Sequence, residues 1–279
     1  MSEHLLHQWQ TEGYLIVRKV FTPERTAQLR TICDAILEQW RVCNPETGQP
    51  GGKPEATVMR HLNHPDYYQD HPAWLPILLE AAGDETVRTV AHTILQEEPL
   101  FRCTSYFFDP LAGSRDGNWH RDSQFSHRED AAEEQVITAA GPGGRGFQMQ
   151  IALVPSDDIE YVPGSHLRWD TPAEYAIRKA DNWAHNESNA MPGALRVDLA
   201  AGDGVLFNPM GIHRGRYHVG KLRRTLMLTY TAGSAKHVDY FSMQPWCLTP
   251  AYLRDLQPAT HAFFTRFIDC YREDWTASR

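Results

Sequence analysis

The sequence predicts a mainly β fold with flanking helices, whose core is a double-sheet jelly roll. Three observations support this prediction. From about residue 100 to residue 231, short β-prone runs are separated by turn residues. These runs do not alternate with long helical segments, as the strands of a parallel sheet would. Helical periodicity is concentrated instead before and after this region, in residues 1–99 and 232–279.

Residues 1–99 are expected to supply helical support and a lid. A short strand is predicted at residues 14–20, and the pair Thr22-Pro23 then signals the start of a helix of about 18 residues. Gly83 and Asp84 end one apolar segment and cap the next helix. Residues 43–68 are rich in Gly, Pro and Asn and lack periodicity, which predicts a long surface loop, the candidate lid.

The predicted strands of the core follow one another over residues 100–231. They are LFRCTSYFF, WHRDSQF, FQMQIALV, IEYV, LRVDL, GVLF and RRTLMLTYT. One helical insertion is predicted at residues 172–183, and closing helices are predicted over residues 252–271. A length of 279 residues allows one decorated domain or two, and helices at both ends of one strand-rich region favour a single domain, residues 1–279.

Composition and charge favour a protein that acts on small molecules. With 27 basic and 35 acidic side chains the net charge is −8, so no excess of positive charge suits nucleic acid or an anionic membrane. The five cysteines are scattered and form no C-x-x-C, which argues against a disulfide framework or a thiolate zinc site. Neither a secretory signal nor an apolar run of membrane-spanning length is present, so a cytoplasmic location is expected. Oligomeric state is not indicated.

The segment at residues 118–122, Asn-Trp-His-Arg-Asp, is the densest candidate for chemistry. If WHRDSQF is a strand, His120 and Asp122 share a face and point into the barrel, whereas Arg121 points away. His213 follows the predicted strand GVLF and offers a third ligand. Two histidines and one carboxylate with open coordination positions form the arrangement that non-haem Fe(II) oxygenases use. His218 is the weaker alternative for the third ligand.

An arginine on the next strand suits a dicarboxylate cosubstrate. Arg224 lies 11 positions after His213, and its planar guanidinium matches a carboxylate. Strand alternation is expected to turn Arg224 inward and Arg223 outward, so that mutation of Arg223 or Arg121 should matter less. Gln148 and Gln150 are candidate contacts to cosubstrate or substrate from the barrel wall.

These motifs occur in the order seen in phytanoyl-CoA dioxygenase-like proteins, and the chain resembles that family. The motifs are W-H-x-D at 119–122, V-P-G-S-H at 162–166, D-G-V-L-F at 203–207, H-R-G at 213–215 and R-x-L at 224–226. The resemblance implies a double-stranded β-helix of the cupin-like kind. It also implies that His120, Asp122 and His213 bind iron and that Arg224 binds the distal carboxylate of 2-oxoglutarate. Gly215 and Gln150 depart from the family pattern, which often has Ser or Thr and Trp at these positions.

The function implied by the resemblance is that of an Fe(II)- and 2-oxoglutarate-dependent dioxygenase. Such an enzyme uses O2 to hydroxylate a small-molecule metabolite and releases succinate and CO2. Asp122 favours hydroxylation, because related halogenases replace this carboxylate with a small residue. Two alternatives remain: a catalytically silent ligand-binding barrel, and a cupin-like metal-dependent hydrolase or isomerase.

The substrate itself is not indicated by the sequence. Arg102 lies on a strand that enters the barrel, and His61 and His64 lie in the predicted lid. These three residues are the candidate substrate contacts.

Overall fold

The computed structural model of the chain describes residues 2–277 as helices on both sides of a strand-rich middle. The helices are α1 Ser2–Glu12, α2 Pro23–Val42, α3 Trp74–Ala82, α4 Glu85–Leu95, α5 Ser123–Ser126, α6 Asp130–Ala140, α7 Pro172–Arg178, α8 Ala180–Trp183 and α9 Pro258–Ala277. The strands are β1 Tyr14–Val17, β2 Val58–Arg60, β3 Pro99–Phe108, β4 Arg115–Asp116, β5 Gly146–Ala152, β6 Ser156–Tyr161, β7 Leu195–Leu199, β8 Gly204–Phe207, β9 His213–Tyr217 and β10 Arg224–Ala232.

Two of the N-terminal helices begin where the sequence predicts. The Thr22 side chain accepts a hydrogen bond from the Arg25 amide at 3.3 Å, and a proline occupies the first turn of α2. The Asp84 side chain accepts from the Thr86 amide at 2.9 Å at the start of α4. At the other end of the chain, a single long helix, α9, stands where we expected several closing helices.

The strands form two antiparallel sheets that face each other. The major sheet has the order β1-β8-β5-β10-β3-β2, and the minor sheet has the order β4-β9-β6-β7. A small apolar cluster joins the facing sides: Ala152 and Val205 from the major sheet, and Ile159, Val197 and Leu199 from the minor sheet. This is the predicted jelly roll, and the cluster marks the inside of the barrel.

The opposite side of the major sheet carries the large hydrophobic core. Leu226, Leu228 and Tyr230 of β10 belong to this core, together with buried residues of α2, α3, α4 and α9. The aromatic side chains of α9 pack here, for example Phe264 against Phe101 of β3, with ring centroids 5.0 Å apart. The helices at both ends of the chain therefore support one face of the sheet and leave the barrel interior to the site.

Strand register decides which side chains face that interior. On β10, Thr225 pairs with Ala152 and Met227 pairs with Gln150, so the odd-numbered residues at the start of β10 lie on the inner face. Ala152 belongs to the inner cluster, which fixes the direction. Leu226, between these two residues, lies on the helical side.

Two local predictions are wrong. The predicted loop at residues 43–68 contains β2, which joins the edge of the major sheet, and a 3-10 turn at Pro65–Tyr68. WHRDSQF is not a strand: His120 makes a single bridge to His213, and the chain then turns into α5. In the first case, the many turn residues predicted a loop, although three residues form an edge strand. In the second case, β-prone residues on both sides of a single bridge predicted a full strand.

In the part of the chain that the structure describes, no helix has both the length and the apolar character needed to cross a membrane.

Candidate metal centre and cosubstrate pocket

His120, Asp122 and His213 come together at the open end of the barrel. One potential ligand atom from each residue lies within 4.8 Å of the other two. Asp122 Oδ1 lies 3.7 Å from His120 Nε2 and 3.6 Å from His213 Nε2. The three residues thus converge on one point, as the sequence predicts, although His120 and Asp122 lie in a loop and not in a strand.

Backbone hydrogen bonds hold the three residues in this arrangement. The His120 amide donates to the His213 carbonyl at 3.0 Å, and the His213 amide donates back at 2.9 Å. The Asp122 amide donates to the carbonyl of Pro209, which precedes β9, at 2.9 Å. The segment 120–122 is therefore attached to the segment 209–213 on both sides of the ligand set.

Each ligand side chain is also oriented by a hydrogen bond away from the metal position. His120 Nδ1 donates to the Asn118 carbonyl at 2.7 Å, and His213 Nδ1 donates to the Gly211 carbonyl at 2.9 Å. A proton on Nδ1 leaves the Nε2 lone pair free for a metal. Gln148 Nε2 donates to Asp122 Oδ2 at 2.5 Å, which leaves Oδ1 to face the two histidines.

The electrostatic environment favours metal binding. Burial, followed by the charge of His120, lowers the pKa of His213 to about 4, so the ring is neutral and can act as a ligand. The His213 side chain is 7% exposed, whereas those of His120 and Asp122 are 25% and 33% exposed. His213 thus forms the buried side of the set, and His120 and Asp122 form the side that solvent reaches. A catalytic metal needs such an accessible side because substrates must reach it.

The expectation that Arg224 faces the barrel is wrong. Arg224 Nε lies 2.5 Å from Asp34 Oδ1 on α2, and its Nη1 pairs with Asp109, on the helical side of the sheet. Arg223 points inward instead, because it lies two residues before the inner-facing Thr225. Neighbouring residues of the strand do face opposite sides of the sheet, as expected. The sequence alone did not show which of the two arginines faces the barrel.

Arg223 is buried on the inner face of the sheet, beside one amide and two aromatic side chains. Its Nη2 donates to Gln150 Oε1 at 3.2 Å, and its guanidinium lies 4.5 Å from the ring centroid of Tyr217 and 5.1 Å from that of Phe107. Arg223 Nε and Thr225 Oγ1 are buried, and neither has a hydrogen-bond partner among residues 2–277. Because buried polar groups normally have partners, these two atoms indicate a place for a ligand oxygen.

Gly215 now has a physical reason. A Cβ at this position would lie 2.6 Å from Tyr217 Oη and 2.8 Å from Arg223 Nη1. A side chain here would displace the guanidinium, so the departure from the family pattern at Gly215 accompanies the inward position of Arg223.

The two glutamines predicted as wall contacts connect the metal centre to this pocket. Gln148 holds Asp122, Gln150 holds Arg223, and both lie on the inner face of β5. Alternate residues of a strand are about 7 Å apart. A five-carbon dicarboxylate has a comparable span between its two ends, so one end could reach the metal position while the other meets Arg223.

The three predicted substrate contacts are all engaged elsewhere. Arg102 pairs with Asp239. His61 is fully buried, with Nδ1 2.9 Å from Glu46 Oε1. Burial alone would lower the pKa of His61, but the negative charge of Cys103, followed by Glu46, outweighs burial and raises the pKa to about 10.

His64 packs against Trp246, with ring centroids 4.5 Å apart and the rings tilted by 54°, and its Nδ1 accepts from the Asp66 amide. The rival metal ligand His218 is likewise engaged, 2.9 Å from Asp116.

Arg121 points away from the metal, as predicted, but it is not a surface residue. It is completely buried, and its Nη2 lies 2.8 Å from Asp170. Asp170 also pairs with Arg178 at 2.6 Å, and Arg178 pairs with Glu133 at 3.1 Å. We call these four residues, with Lys179, which pairs with Glu133 at 2.8 Å, the buried ion network. The burial and pairing of Arg121 argue against our expectation that its mutation should matter less than mutation of the inward residues.

The model of the phytanoyl-CoA dioxygenase (PhyH) family matches residues 9–225. The chain belongs to this family. Ectoine dioxygenase of Sphingopyxis alaskensis is 22% identical over 268 residues, with 87% of this chain and 82% of that protein covered.

Solved structures have the same fold. EctD of S. alaskensis with 2-oxoglutarate and 5-hydroxyectoine has a TM-score of 0.59 and 20% identity, and covers 93% of this chain and 89% of its own. The α-ketoglutarate-dependent epimerase SnoN from nogalamycin biosynthesis has a TM-score of 0.55 and 16% identity, and covers 83% and 81%. The carbocyclase SnoK from the same biosynthesis has a TM-score of 0.56 and 18% identity, and covers 84% and 85%. These similarities confirm the predicted fold, and the family match confirms the resemblance.

Proposed function

We propose that this chain is an Fe(II)- and 2-oxoglutarate-dependent oxygenase that hydroxylates a small organic molecule. The observation that carries the proposal is the joint placement of a His-Asp-His set and an inward arginine, connected by Gln148 and Gln150 on one strand. A His-Asp-His set alone, or an inward arginine alone, would be compatible with many classes of protein. The two together provide a place for one metal ion and for one dicarboxylate. Family membership and the relatives that contain iron or 2-oxoglutarate support the same activity.

Each residue has a defined task in this proposal. His120, Asp122 and His213 hold the metal, and Gln148 fixes which oxygen of Asp122 faces it. Arg223 and Thr225 bind the distal carboxylate of 2-oxoglutarate. The bound iron, together with 2-oxoglutarate and O2, supplies the oxidising power, and succinate and CO2 are released. The apolar inner cluster around Val205 keeps water from the closed side of the barrel.

The chain acts as a single domain in this proposal. Buried residues from α2 near the start and α9 near the end share one hydrophobic core with the major sheet, which supports one cooperative unit. Hydroxylation is the finer part of the proposal, because the relatives include an epimerase and a carbocyclase.

The test is a spectroscopic titration without oxygen. Adding Fe(II) and 2-oxoglutarate anaerobically should produce the visible charge-transfer band of the chelate. Asp122→Ala and His213→Ala should abolish the band, and His218→Ala, a histidine outside the ligand set, should keep it. A band that survives both ligand substitutions would disprove the metal assignment.

Admission of O2 then tests the reaction. Succinate formation that requires O2 separates an oxygenase from a metal-dependent hydrolase or isomerase and from a silent ligand-binding barrel. A product that carries one oxygen atom from labelled O2 establishes hydroxylation, and a product of unchanged elemental composition, or one that has lost two hydrogens, would refute it in favour of epimerisation or ring closure.

A further inference from the structure

Arg60 is an inward-facing arginine that the site described above does not use. It ends β2, where it pairs with Ser105 of β3. Ser105 pairs in turn with Met227, and Met227 pairs with Gln150. Residues paired directly across strands share a face of the sheet, so Arg60 lies on the same inner face as Gln150.

The guanidinium of Arg60 has few partners for its charge. Its Nη1 donates to Ser105 Oγ at 2.8 Å, and the group lies 5.3 Å from the ring centroid of Phe241 and 5.6 Å from that of Phe107. Within residues 2–277, no carboxylate lies at ion-pair distance from it. Arg102, on the neighbouring strand, has Asp239 as its partner. A half-buried guanidinium with several free donors and aromatic walls favours a bound oxyanion.

The position of Arg60 places it beside the cosubstrate pocket. Phe107 contacts the guanidinium groups of both Arg60 and Arg223, at 5.6 and 5.1 Å from its ring centroid. Arg60 belongs to the edge strand, and Arg223 precedes the strand on the other side of β3. One aromatic ring thus separates two arginines, so each of them can bind a different anion.

Arg60 contributes positive charge near the Cys103 thiol. Burial alone would raise the pKa of the Cys103 thiol, but the charges of His61 and Arg60 outweigh burial and lower it. Cys103 lies two residues before Ser105 on the inner face of β3, opposite Thr229. The same positive charge would stabilise an anionic ligand at this place.

We propose that Arg60 binds an oxyanion of the substrate, a carboxylate or a phosphate, and so selects acidic substrates. This inference rests on the proposed function, because it assumes that the remaining space in the barrel receives the molecule to be oxidised. The side-chain hydroxyl of Ser105 positions the guanidinium, and Phe107 and Phe241 hold it between their rings.

The test uses matched probes in place of the unidentified substrate. The anaerobic complex with Fe(II) and saturating 2-oxoglutarate is titrated with three acid–neutral pairs: acetate and acetamide, benzoate and benzamide, and phenyl phosphate and phenol. Calorimetry measures the affinity of each probe, and perturbation of the charge-transfer band shows which bound probes also reach the metal centre. We expect at least one anion to bind about tenfold to a hundredfold more tightly than its neutral partner, as a charge-assisted hydrogen bond predicts. The phenyl phosphate arm distinguishes a phosphate from a carboxylate site.

Three variants decide the origin of that preference. Arg60→Gln should remove it and leave the band and the 2-oxoglutarate requirement unchanged, and Arg60→Lys should keep part of it. Arg41→Gln is the matched control, because Arg41 lies 5.5 Å from the ring of the next phenylalanine, Phe108. Phe108 belongs to the hydrophobic core on the helical side of the sheet.

The result that overturns the proposal is equally specific. If no anion binds more tightly than its neutral partner, or if the preference survives in Arg60→Gln, Arg60 does not bind the substrate. Failure of the proposed function would give a different result, because the charge-transfer band would then not form in the wild-type protein.

Discussion

Exchanging each of two adjacent arginines for glutamine should produce two different defects. In Arg223→Gln the pocket loses the positive charge that faces Gln150 and the unpartnered Thr225 hydroxyl. A charge-assisted pair with a carboxylate contributes about 1.5–3 kcal/mol. The 2-oxoglutarate requirement should therefore rise about tenfold to 150-fold. The fold should persist, since Arg223 does not belong to the large core.

Arg224→Gln should behave in the opposite way. The substitution removes the ion pairs of the guanidinium with Asp34 on α2 and with Asp109, the residue after β3. These carboxylates are partly exposed, so about 1–2 kcal/mol of unfolding free energy is a reasonable loss. For a chain of this size that lowers Tm by about 2–8 °C. Binding of 2-oxoglutarate should be unchanged.

The assay measures both quantities on each variant. Succinate formation and the anaerobic charge-transfer band are followed against 2-oxoglutarate concentration, and Tm is measured by calorimetry. Arg223→Lys serves as the conservative control and should recover part of the affinity. The reasoning would be refuted if Arg224→Gln raised the 2-oxoglutarate requirement and Arg223→Gln changed only Tm.

Three further substitutions test the surroundings of the site. Gln148→Leu should weaken Fe(II) binding about tenfold in a metal titration, because Asp122 loses the hydrogen bond that orients it; unchanged affinity would remove Gln148 from this role. His166→Gln should flatten the loss of Tm as pH falls from about 6.5 towards 4. Burial lowers the pKa of His166 to about 4, from the ordinary value of 6.5 that applies to the unfolded chain. The neutral ring therefore contributes stability above about pH 6.5, and this contribution is lost as pH falls towards 4, because the unfolded chain takes up the proton first. Identical pH profiles of the two proteins would contradict this. Asp170→Ala should cost about 3–5 kcal/mol in chemical unfolding, because two buried guanidinium groups lose their shared carboxylate, and a loss below about 1 kcal/mol would disprove the importance of the pair.

The candidate metal ligands were predictable from the sequence because their chemistry is local. His120 and Asp122 are two residues apart, and a short reach of chain keeps them together even though the segment is a loop. His213 was found because it follows a strand of clear pattern, GVLF, which the structure has as β8. Residue type and order were enough here, and the exact secondary structure was not needed.

Which of the two arginines faces the barrel was not predictable, because the direction of a side chain on a strand depends on the register of that strand. Arg223 and Arg224 are chemically identical neighbours: Arg223 immediately precedes β10 and Arg224 is its first residue. A shift of one residue exchanges the two faces. The pairing of Thr225 with Ala152 settles the direction, and that contact connects residues far apart in the sequence. The hydrophobic alternation of Leu226, Leu228 and Tyr230 was the available signal, since it assigns the even positions to the core.

Arg60 was missed for a related reason. The surrounding stretch is rich in Gly and Pro, so the three-residue strand β2 was absorbed into a predicted loop. An edge strand this short owes its conformation to its partner, β3, and not to its own propensity. His61 and His64, which stood out by residue type, turned out to be engaged in packing and hydrogen bonds.

The buried ion network has a consequence for efforts to change what this protein accepts. Because Arg121, Asp170, Arg178 and Glu133 form one set of buried ion pairs, a random change of one of them should leave an uncompensated buried charge. We expect such variants to be lost from a library through misfolding. Phe107 and Phe241, which line Arg60, carry no charge, so their substitution leaves no buried charge unpaired. Libraries that hold the network constant and vary the aromatic wall around Arg60 should therefore retain a larger fraction of folded, metal-binding members.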